Sequence, residues 1–484
     1  MAGLDKYKQA ILDVYQSTNK NIFVKATAGS GKTYLLLQLM KHTQPFKRCL
    51  FLAFNKSIAE ELSRKVPDGI EVATIHSKAF KTLLGAFHYK PKIVENKNFL
   101  VAKKVISEEP FGENRKRYFS YLYNIIGLYN LLNLNLAFTF EDARKVCEMY
   151  GEEMNEYLWK DITAIDIKRT KEESCLQMNG FCELDFTDML LLTYKYVPDE
   201  RFPKYDVVFL DESQDINPLQ RELILKMIKP NGRLIAVGDD KQTIYSFQGS
   251  NLNSFEMLSS RPNTEIMPLS MTYRCGKKIV EAAKEIFPEG IEAYEGNEDG
   301  IVRRGNVFEA REGDYVLCRN NFPLVEVFIK LISQRKKAVI LGKDFGKSIL
   351  NILDKINSLD ELDELLVKCA KLLKEEGIQR PTFHPRYISL QEKCDIIRLV
   401  YRTVGETFIS TKELIEEMFG DDNGASAVTL TTIHKSKGLE ADRVFFLQPD
   451  LIPSKYAQTD LELYGERCLK FVAITRAKKE LIFC

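Results

Sequence analysis

Short, continuous apolar runs punctuate the chain, each ending in a polar or small-residue turn. They are Ile22-Phe23-Val24, Cys49-Leu50-Phe51-Leu52-Ala53-Phe54, Val72-Ala73-Thr74-Ile75-His76-Ser77, Val207-Val208-Phe209-Leu210 and Arg233-Leu234-Ile235-Ala236-Val237. A second series follows at 315–319, 338–341, 427–434, 443–447 and 481–483. Runs without polar alternation suit strands buried on both faces of a parallel sheet. Between them lie stretches with helical periodicity: 4–12, with Asp5 placed to cap it, then 34–40, 55–62, 324–332, 348–374, 388–419 and 466–477. From 87 to 183 the pattern is helical and Tyr-rich, which predicts a helical insertion in an α/β domain. The sheet is expected to resume at 184–190, and a second domain to begin beyond Leu269-Ser270-Met271-Thr272-Tyr273-Arg274-Cys275.

The turns carry the chemistry. Val24-Lys25-Ala26-Thr27-Ala28-Gly29-Ser30-Gly31-Lys32-Thr33 joins the first strand to a helix. In that context backbone N–H groups around Ala28, Gly29, Ser30 and Gly31 cradle phosphate oxygens; Lys32 reaches the β/γ-phosphates, and the Thr33 hydroxyl takes a place on Mg²⁺. Ala26 stands where the strict pattern has glycine. The apolar run before Asp211-Glu212 delivers two carboxylates to a strand end. Burying unpaired carboxylates is expensive, so the pair has a chemical rather than a structural motive: Asp211 for Mg²⁺, Glu212 to orient the attacking water. Gln242 follows the strand over 233–237, placed to sense a γ-phosphate, and Tyr245 and Phe247 put rings on the same polar loop. Phe54, Asn55, Thr74 and His76 fall just past strand ends, where an open parallel sheet binds its ligand. Gln9, ahead of the cradle, has the amide to read an adenine edge, and the alternative for it is a surface glutamine.

The 484 residues call for two to four domains. Lys plus Arg is 69 against Asp plus Glu at 68, so no global positive field gathers nucleic acid; any path for it is a local groove using rings and neutral donors. Ten scattered cysteines without a C-x-x-C pair argue against zinc or iron–sulfur and for a reducing compartment. No apolar run is long enough for a membrane span and no signal peptide is evident, so a cytoplasmic location is expected.

In order and spacing, ATAGSGKT, LDESQD, VGDDKQTIYSFQG, TYRC, TTIHKSKGLE and FVAITRAKKEL resemble the UvrD/Rep family of superfamily-one DNA helicases, from Gln9 to Leu481. AFNKSIAEEL is similar to compact members of it, and Asp185-Phe186-Thr187-Asp188 to a further family signature. The resemblance implies two RecA-like parallel-sheet P-loop domains: 1–86 with 184–272, and 273–344 with 420–484. It implies helical insertions at 87–183 and, reduced, at 345–419. ATP with Mg²⁺ would sit between the two domains. Gln9 would read adenine, Tyr273 stack on it, Arg274 and Arg476 serve as arginine fingers, and Gly438 and Glu440 contact the γ-phosphate and ribose. Phe54, Asn55, Thr74, His76, Tyr245, Phe247, Thr432 and His434 would line a single-strand path, and 3′-to-5′ polarity follows from the family alone.

The expected activity is ATP-dependent translocation on single-stranded DNA and unwinding at single-strand/duplex junctions, with no membrane partner. Three departures stand out. Tyr34 replaces the usual Arg after GKT, Gln248 replaces the usual Arg of the ring-bearing loop, and Asn55 is displaced by one position. The small second insertion and the chain's end just after TRAKKEL lead to the expectation of a minimal motor that unwinds weakly as a monomer. The rival readings are a translocase that strips proteins without opening duplexes, a nucleotide-gated binding module, and an RNA track.

Overall fold

The computed structural model describes residues 4–44, 47–53, 55–87, 91–112, 115–150, 152–173, 182–244, 252–375, 378, 380–420 and 427–484. They divide into two compact units, Met1–Met271 and Thr272–Cys484.

In the first unit the strands are β1 (Asn21–Ala26), β2 (Cys49–Ala53), β3 (Ile70–Thr74), β4 (Pro91–Ile93), β5 (Cys182–Leu184), β6 (Tyr205–Leu210), β7 (Ile228–Gly238) and β8 (Thr264–Leu269). Six of them form one parallel sheet in the order β3-β2-β6-β7-β1-β8, while β4 and β5 pair apart from it. Successive strand residues feed opposite faces. Phe23, Leu50, Leu52, Val208 and Leu210 enter one core, and Ile22, Val24, Phe51, Val207 and Phe209 the other. Double-sided burial is why these strands read as unbroken apolar runs.

Two boundaries differ from the sequence expectation. The sheet does not resume at 184–190: β5 ends at Leu184, and Phe186–Tyr196 is a helix. Asp185 caps it and Asp188 answers in a capping box, and the consecutive buried leucines 190–192 cover a helix face rather than alternating. His76 likewise lies not on a strand but in the first turn of the helix Ile75–Ala86, whose cap is Thr74.

The insertion supplies the helices Lys97–Val105, Arg115–Leu134, Phe140–Met149 and Glu156–Glu173, which enclose their own core around Val101, Tyr118, Leu122, Ile125 and Ile165. A buried polar knot roots it in the sheet-bearing part. Lys97 Nζ lies 2.9 Å from Asp188 Oδ2, and Arg169 bonds both Asp188 and Asn98.

The boundary between the units falls within β9 (Met271–Thr272), which pairs with β10 (Glu292–Ala293). The main sheet of the second unit contains β11 (Ile301–Arg304), β12 (Tyr315–Cys318), β13 (Ala338–Leu341), β14 (Phe419–Gly420), β15 (Val428–Thr432), β16 (Ala441–Phe446) and β17 (Ala477–Phe483). All pairings are parallel, in the order β11-β17-β16-β12-β15-β13-β14. The helices Lys343–Leu353, Asp360–Glu375, Pro385–Thr403 and Phe408–Met418 do not build a separate core. Ile349, Leu362, Ile397 and Ile415 join Val316, Leu430 and Phe445 in one cluster. The last helix is Asp460–Ile474; it stops short of Ala477, which already belongs to β17 and leaves Arg476 at the junction. No described helix is long and apolar enough to cross a membrane.

Candidate nucleotide and nucleic-acid site

The cradle forms where β1 meets the helix Lys32–Lys41. Gly29 and Gly31 take φ of 68° and 80°, a region that glycine enters without a Cβ penalty. Ala28 and Ser30 are buried beneath the loop, with Ser30 Oγ donating to Thr27 O at 2.8 Å. Lys32 Nζ lies 2.5 Å from Glu212 Oε2, and Thr33 Oγ1 donates to Asp211 Oδ2 at 2.9 Å. The sheet order explains the meeting: β6, carrying the acids at its end, lies one strand from β1 with β7 between them.

Glu212 holds φ 51°, a left-handed conformation costly for a non-glycine residue and one that clusters at functional sites. Gln214 Nε2 donates to Glu212 Oε2 at 2.7 Å, and its Oε1 accepts the Asp239 N–H at 3.0 Å. Gln242, itself buried, donates from Nε2 to Asp239 Oδ2 at 2.5 Å. A chain of contacts thus runs from Lys32 through Glu212, Gln214 and Asp239 to Gln242.

Burial pushes the Asp211 carboxyl up to about 6, with the neighbouring Glu212 charge adding to it, and burial does the same to Asp239, also up to about 6. Burial works against the charge on Lys32, but Glu212, Asp211 and Asp239 outweigh it and hold its pKa above the ordinary lysine value. Carboxyls crowded away from water and a hydroxyl beside them make an all-oxygen donor set, which fits a hard dication such as Mg²⁺. The buried hydroxyls of Thr27, Ser213 and Thr243 have no hydrogen-bond partner among the described residues. A cavity of about 380 Å³ opens against Thr33, Asp211 and Glu212, walled by Tyr34, Leu37 and Ile58.

Gln9, expected to read adenine, is exposed, and its Nε2 donates to Asp13 Oδ1 at 2.7 Å; Lys8 is the neighbouring side chain that lies against Gly31. The signal was present in the spacing. Lys8 shares the stripe of Ile11, Leu12 and Tyr15, all buried, at helical intervals of three, four and seven.

In the second unit, Arg274 Nε lies 2.6 Å from Glu440 Oε2, and Lys478 Nζ 2.8 Å from Glu440 Oε1. Burial opposes the charge on Glu440, but Lys478 and Arg274 overcome it and hold the carboxyl below its usual range. Arg274 Nη1 donates to Thr475 O at 3.3 Å. Arg476 is 1% exposed and donates to Val472 O and Leu439 O, each at 3.2 Å. Gly438, with φ 88°, turns the chain between β15 and Glu440. Tyr273 is 41% exposed, its ring 4.9 Å from that of Tyr294. Arg274, Glu440 and Arg476, far apart in sequence, therefore gather around Thr475 and Leu439.

Phe54, Tyr245 and Phe247 lie outside the described residues. Asn55 caps the helix Lys56–Ser63, its Oδ1 accepting the Ile58 N–H at 2.9 Å. Thr74 stands opposite Ala53 in the β2–β3 register, so Asn55, Thr74 and His76 lie at one edge of the sheet's C-terminal rim. Thr432 ends β15, followed by His434, whose pKa burial pushes down to about 4 with Arg319 assisting. His76 is lowered too, by burial. Both imidazoles are therefore neutral near pH 7 and act as dipoles rather than charges. Two residues were not singled out as site residues from sequence. Phe186 is a ring left 56% exposed at a helix start, and Arg319, at the end of β12, is bidentate to Glu466.

A parallel sheet with this loop, and a lysine and threonine facing strand-end carboxylates, define a P-loop nucleotide-binding fold. Residues 7–263 match the model of the UvrD/REP helicase N-terminal domain and 427–484 that of the UvrD-like helicase C-terminal domain. The chain belongs to the UvrD/REP helicase family. It is 25% identical to F-box DNA helicase protein 1 of Schizosaccharomyces pombe, over 99% of this chain and 57% of that protein. It is 24% identical to F-box DNA helicase 1 of Gallus gallus, over 98% and 48%. With the ATP-dependent DNA helicase PcrA of Bacillus subtilis the identity is 27%, over 99% and 82%. The chain spans about half the length of the F-box relatives it matches.

Proposed function

We propose that the chain is an ATP-dependent single-stranded DNA translocase and helicase moving 3′ to 5′. The observation that carries this is the Lys32–Glu212 contact beside Thr33–Asp211: the parts of a phosphoryl-transfer site, assembled in one unit. A triphosphate competes with Glu212 for Lys32. Once displaced, the Glu212 carboxylate is available to orient water and take its proton. Gln242, bonded to Asp239 and through it to Gln214 and Glu212, reports the γ-phosphate to the loop bearing Tyr245 and Phe247. Mg²⁺, held by Thr33 and Asp211, supplies charge neutralisation of the phosphate oxygens when bound.

On the second unit Tyr273 offers a ring to the base, and Gly438 and Glu440 serve the γ-phosphate and ribose. Arg274 and Arg476 supply cations for the developing charge, worth roughly 10³–10⁵ in rate for such fingers. Arg476 must leave its carbonyl partners to do so, which makes hydrolysis conditional on a rearrangement. Asn55, Thr74, His76, Thr432 and His434 contact the strand with neutral donors, and the rings Phe54, Tyr245 and Phe247 stack on bases.

The test is strand displacement on duplexes with 3′ or 5′ single-stranded overhangs, in DNA and RNA, with ATP and Mg²⁺. We expect opening from the 3′ DNA overhang alone, and Lys32→Ala to abolish hydrolysis while single-strand binding persists. Unchanged turnover in Lys32→Ala removes the site assignment, and a 5′ preference removes the polarity. Translocation without duplex opening is the second reading, favoured by the helices over 343–418, which bury into the sheet's core rather than forming a separate body. Displacement of streptavidin from single strands with no duplex opening selects it.

A further inference from the structure

On the insertion of the first unit, two helices hold a column of flat groups that ends in water. Lys103 Nζ lies 5.7 Å from the centroid of the Phe119 ring. Phe119 and Phe99 stack at 6.0 Å with 15° between their planes, and Phe99 and Tyr123 at 5.2 Å with 30°. Phe99 and Lys103 belong to the helix Lys97–Val105, Phe119 and Tyr123 to Arg115–Leu134, and residues so spaced share a helix face. Phe99 and Phe119 are half-buried against the insertion's core, whereas Tyr123 lies outside it and is 64% exposed.

The next turn leaves that ring uncovered. A helical side chain leans toward the N-terminus and covers the turn before its own Cα, so residue 127 is the one placed to shield Tyr123. It is an exposed glycine with ordinary helical backbone, and a Cβ built on it would meet nothing within 4 Å. Glycine inside a helix is unfavourable relative to alanine, so helix formation does not ask for it. An apolar side chain there would cover the ring and strengthen the helix together. What Gly127 provides instead is an open slot at the exposed end of a stack.

The charge beside the column selects the occupant. Lys97–Val105 contains Lys97, Lys103 and Lys104, and Arg115–Leu134 opens on Arg115, Lys116 and Arg117; neither helix contains an acid. In a chain of 69 basic and 68 acidic residues this is a local excess. Lys97 is committed to Asp188, but Lys103 and Lys104 are exposed. The acids Glu108 and Glu109 lie between the two helices, at the end of the column away from Tyr123. A flat ring that travels with negative charge fits both the slot and its cations, and a nucleobase on its phosphate backbone is such a group.

We propose that the insertion carries a stacking platform for single-stranded DNA, in which a base enters the slot over Gly127 against Tyr123 while Lys103 and Lys104 face the adjoining phosphates. The choice of DNA rests on the reading above; the platform itself is an additional site, built from residues to which that reading gives no part. Every base has a π-face, so the platform grips a strand without reading its sequence.

The test is equilibrium binding of a long single-stranded DNA oligonucleotide, without nucleotide, to the unmodified chain, Tyr123→Ala, Tyr123→Trp and Gly127→Leu. We expect Tyr123→Ala to raise Kd about tenfold. Tyr123→Trp keeps Kd within about twofold, and its indole emission is quenched by the oligonucleotide but not by a strand of equal length made of abasic sites. The other tryptophan, Trp159, packs on Phe140. Gly127→Leu fills the slot and improves the helix, so it raises Kd about tenfold while Tm rises by about 2 °C, a pairing that loss of structure would not give. The inference is overturned if Kd of either Tyr123→Ala or Gly127→Leu stays within about twofold of the unmodified chain, or if the abasic strand quenches equally. Loss of a dimer in Tyr123→Ala with DNA affinity unchanged also overturns it, and makes this face a contact between two copies. An unmodified chain that binds no single-stranded DNA sinks instead the reading on which the choice of partner rests.

Discussion

Lys32 and Glu212, the cation and the acid of the proposed phosphoryl-transfer site, rest in contact with each other. On the proposed reading neither acts until a nucleotide parts them, and the acid stands on a left-handed backbone, φ 51° at Glu212. His434 shows how burial sets protonation elsewhere. Its folded pKa, pushed down to about 4, lies below the unfolded value near 6.5. As pH falls from 7, the unfolded chain takes up a proton that the folded chain refuses, so stability drops between pH 6.5 and 4, by about 3 kcal/mol at the lower end. Urea midpoints measured across that range should fall more steeply for the unmodified chain than for His434→Asn. Parallel curves would show that His434 titrates normally. The motif residues were legible in the sequence because their types are chemically particular. Whether Lys8 or Gln9 faces the cradle was harder to read, because adjacent residues on a helix point about 100° apart.

Among elements, the helix Phe186–Tyr196 shows where local reading failed. Its apolar run reads as a strand, although the Asp185-x-x-Asp188 capping box encodes a helix start. Asp188 has a second role, since Lys97 and Arg169 of the insertion both end on it. Asp188→Ala removes the buried carboxylate that both cations contact and is expected to destabilise the first unit by about 3–5 kcal/mol. Thermal melting followed by near-ultraviolet circular dichroism should show the loss, with Asp188→Asn milder. An unaltered melt for Asp188→Ala would mean that the insertion is rooted elsewhere. The two insertions differ in kind. The first has a core of its own, whereas the helices over 343–418 share the sheet's, a distinction invisible in periodicity because both present the same apolar stripes.

For the whole molecule, a net charge of +1 sets how nucleic acid must be held. With its 69 cations nearly matched by 68 acids, binding to single strands should depend weakly on salt, with a log–log slope shallower than about −3, and lean on rings. Titrations of labelled oligonucleotide from low to high salt would check it, and a steep slope would point to a basic groove that the charge balance hides. The sequence by itself determined the α/β class, the strand-borne order of the motifs and the identity of the phosphate and carboxylate groups, because buried strands and glycine turns are local consequences of residue type. The tertiary structure alone decided that Glu212 rests on Lys32, that Arg476 is folded onto carbonyls of its own unit, and that Lys8 is the side chain pressed to the cradle. Those contacts join residues from different elements, and they depend on how each helix is rotated against its sheet, which no stretch of chain encodes alone.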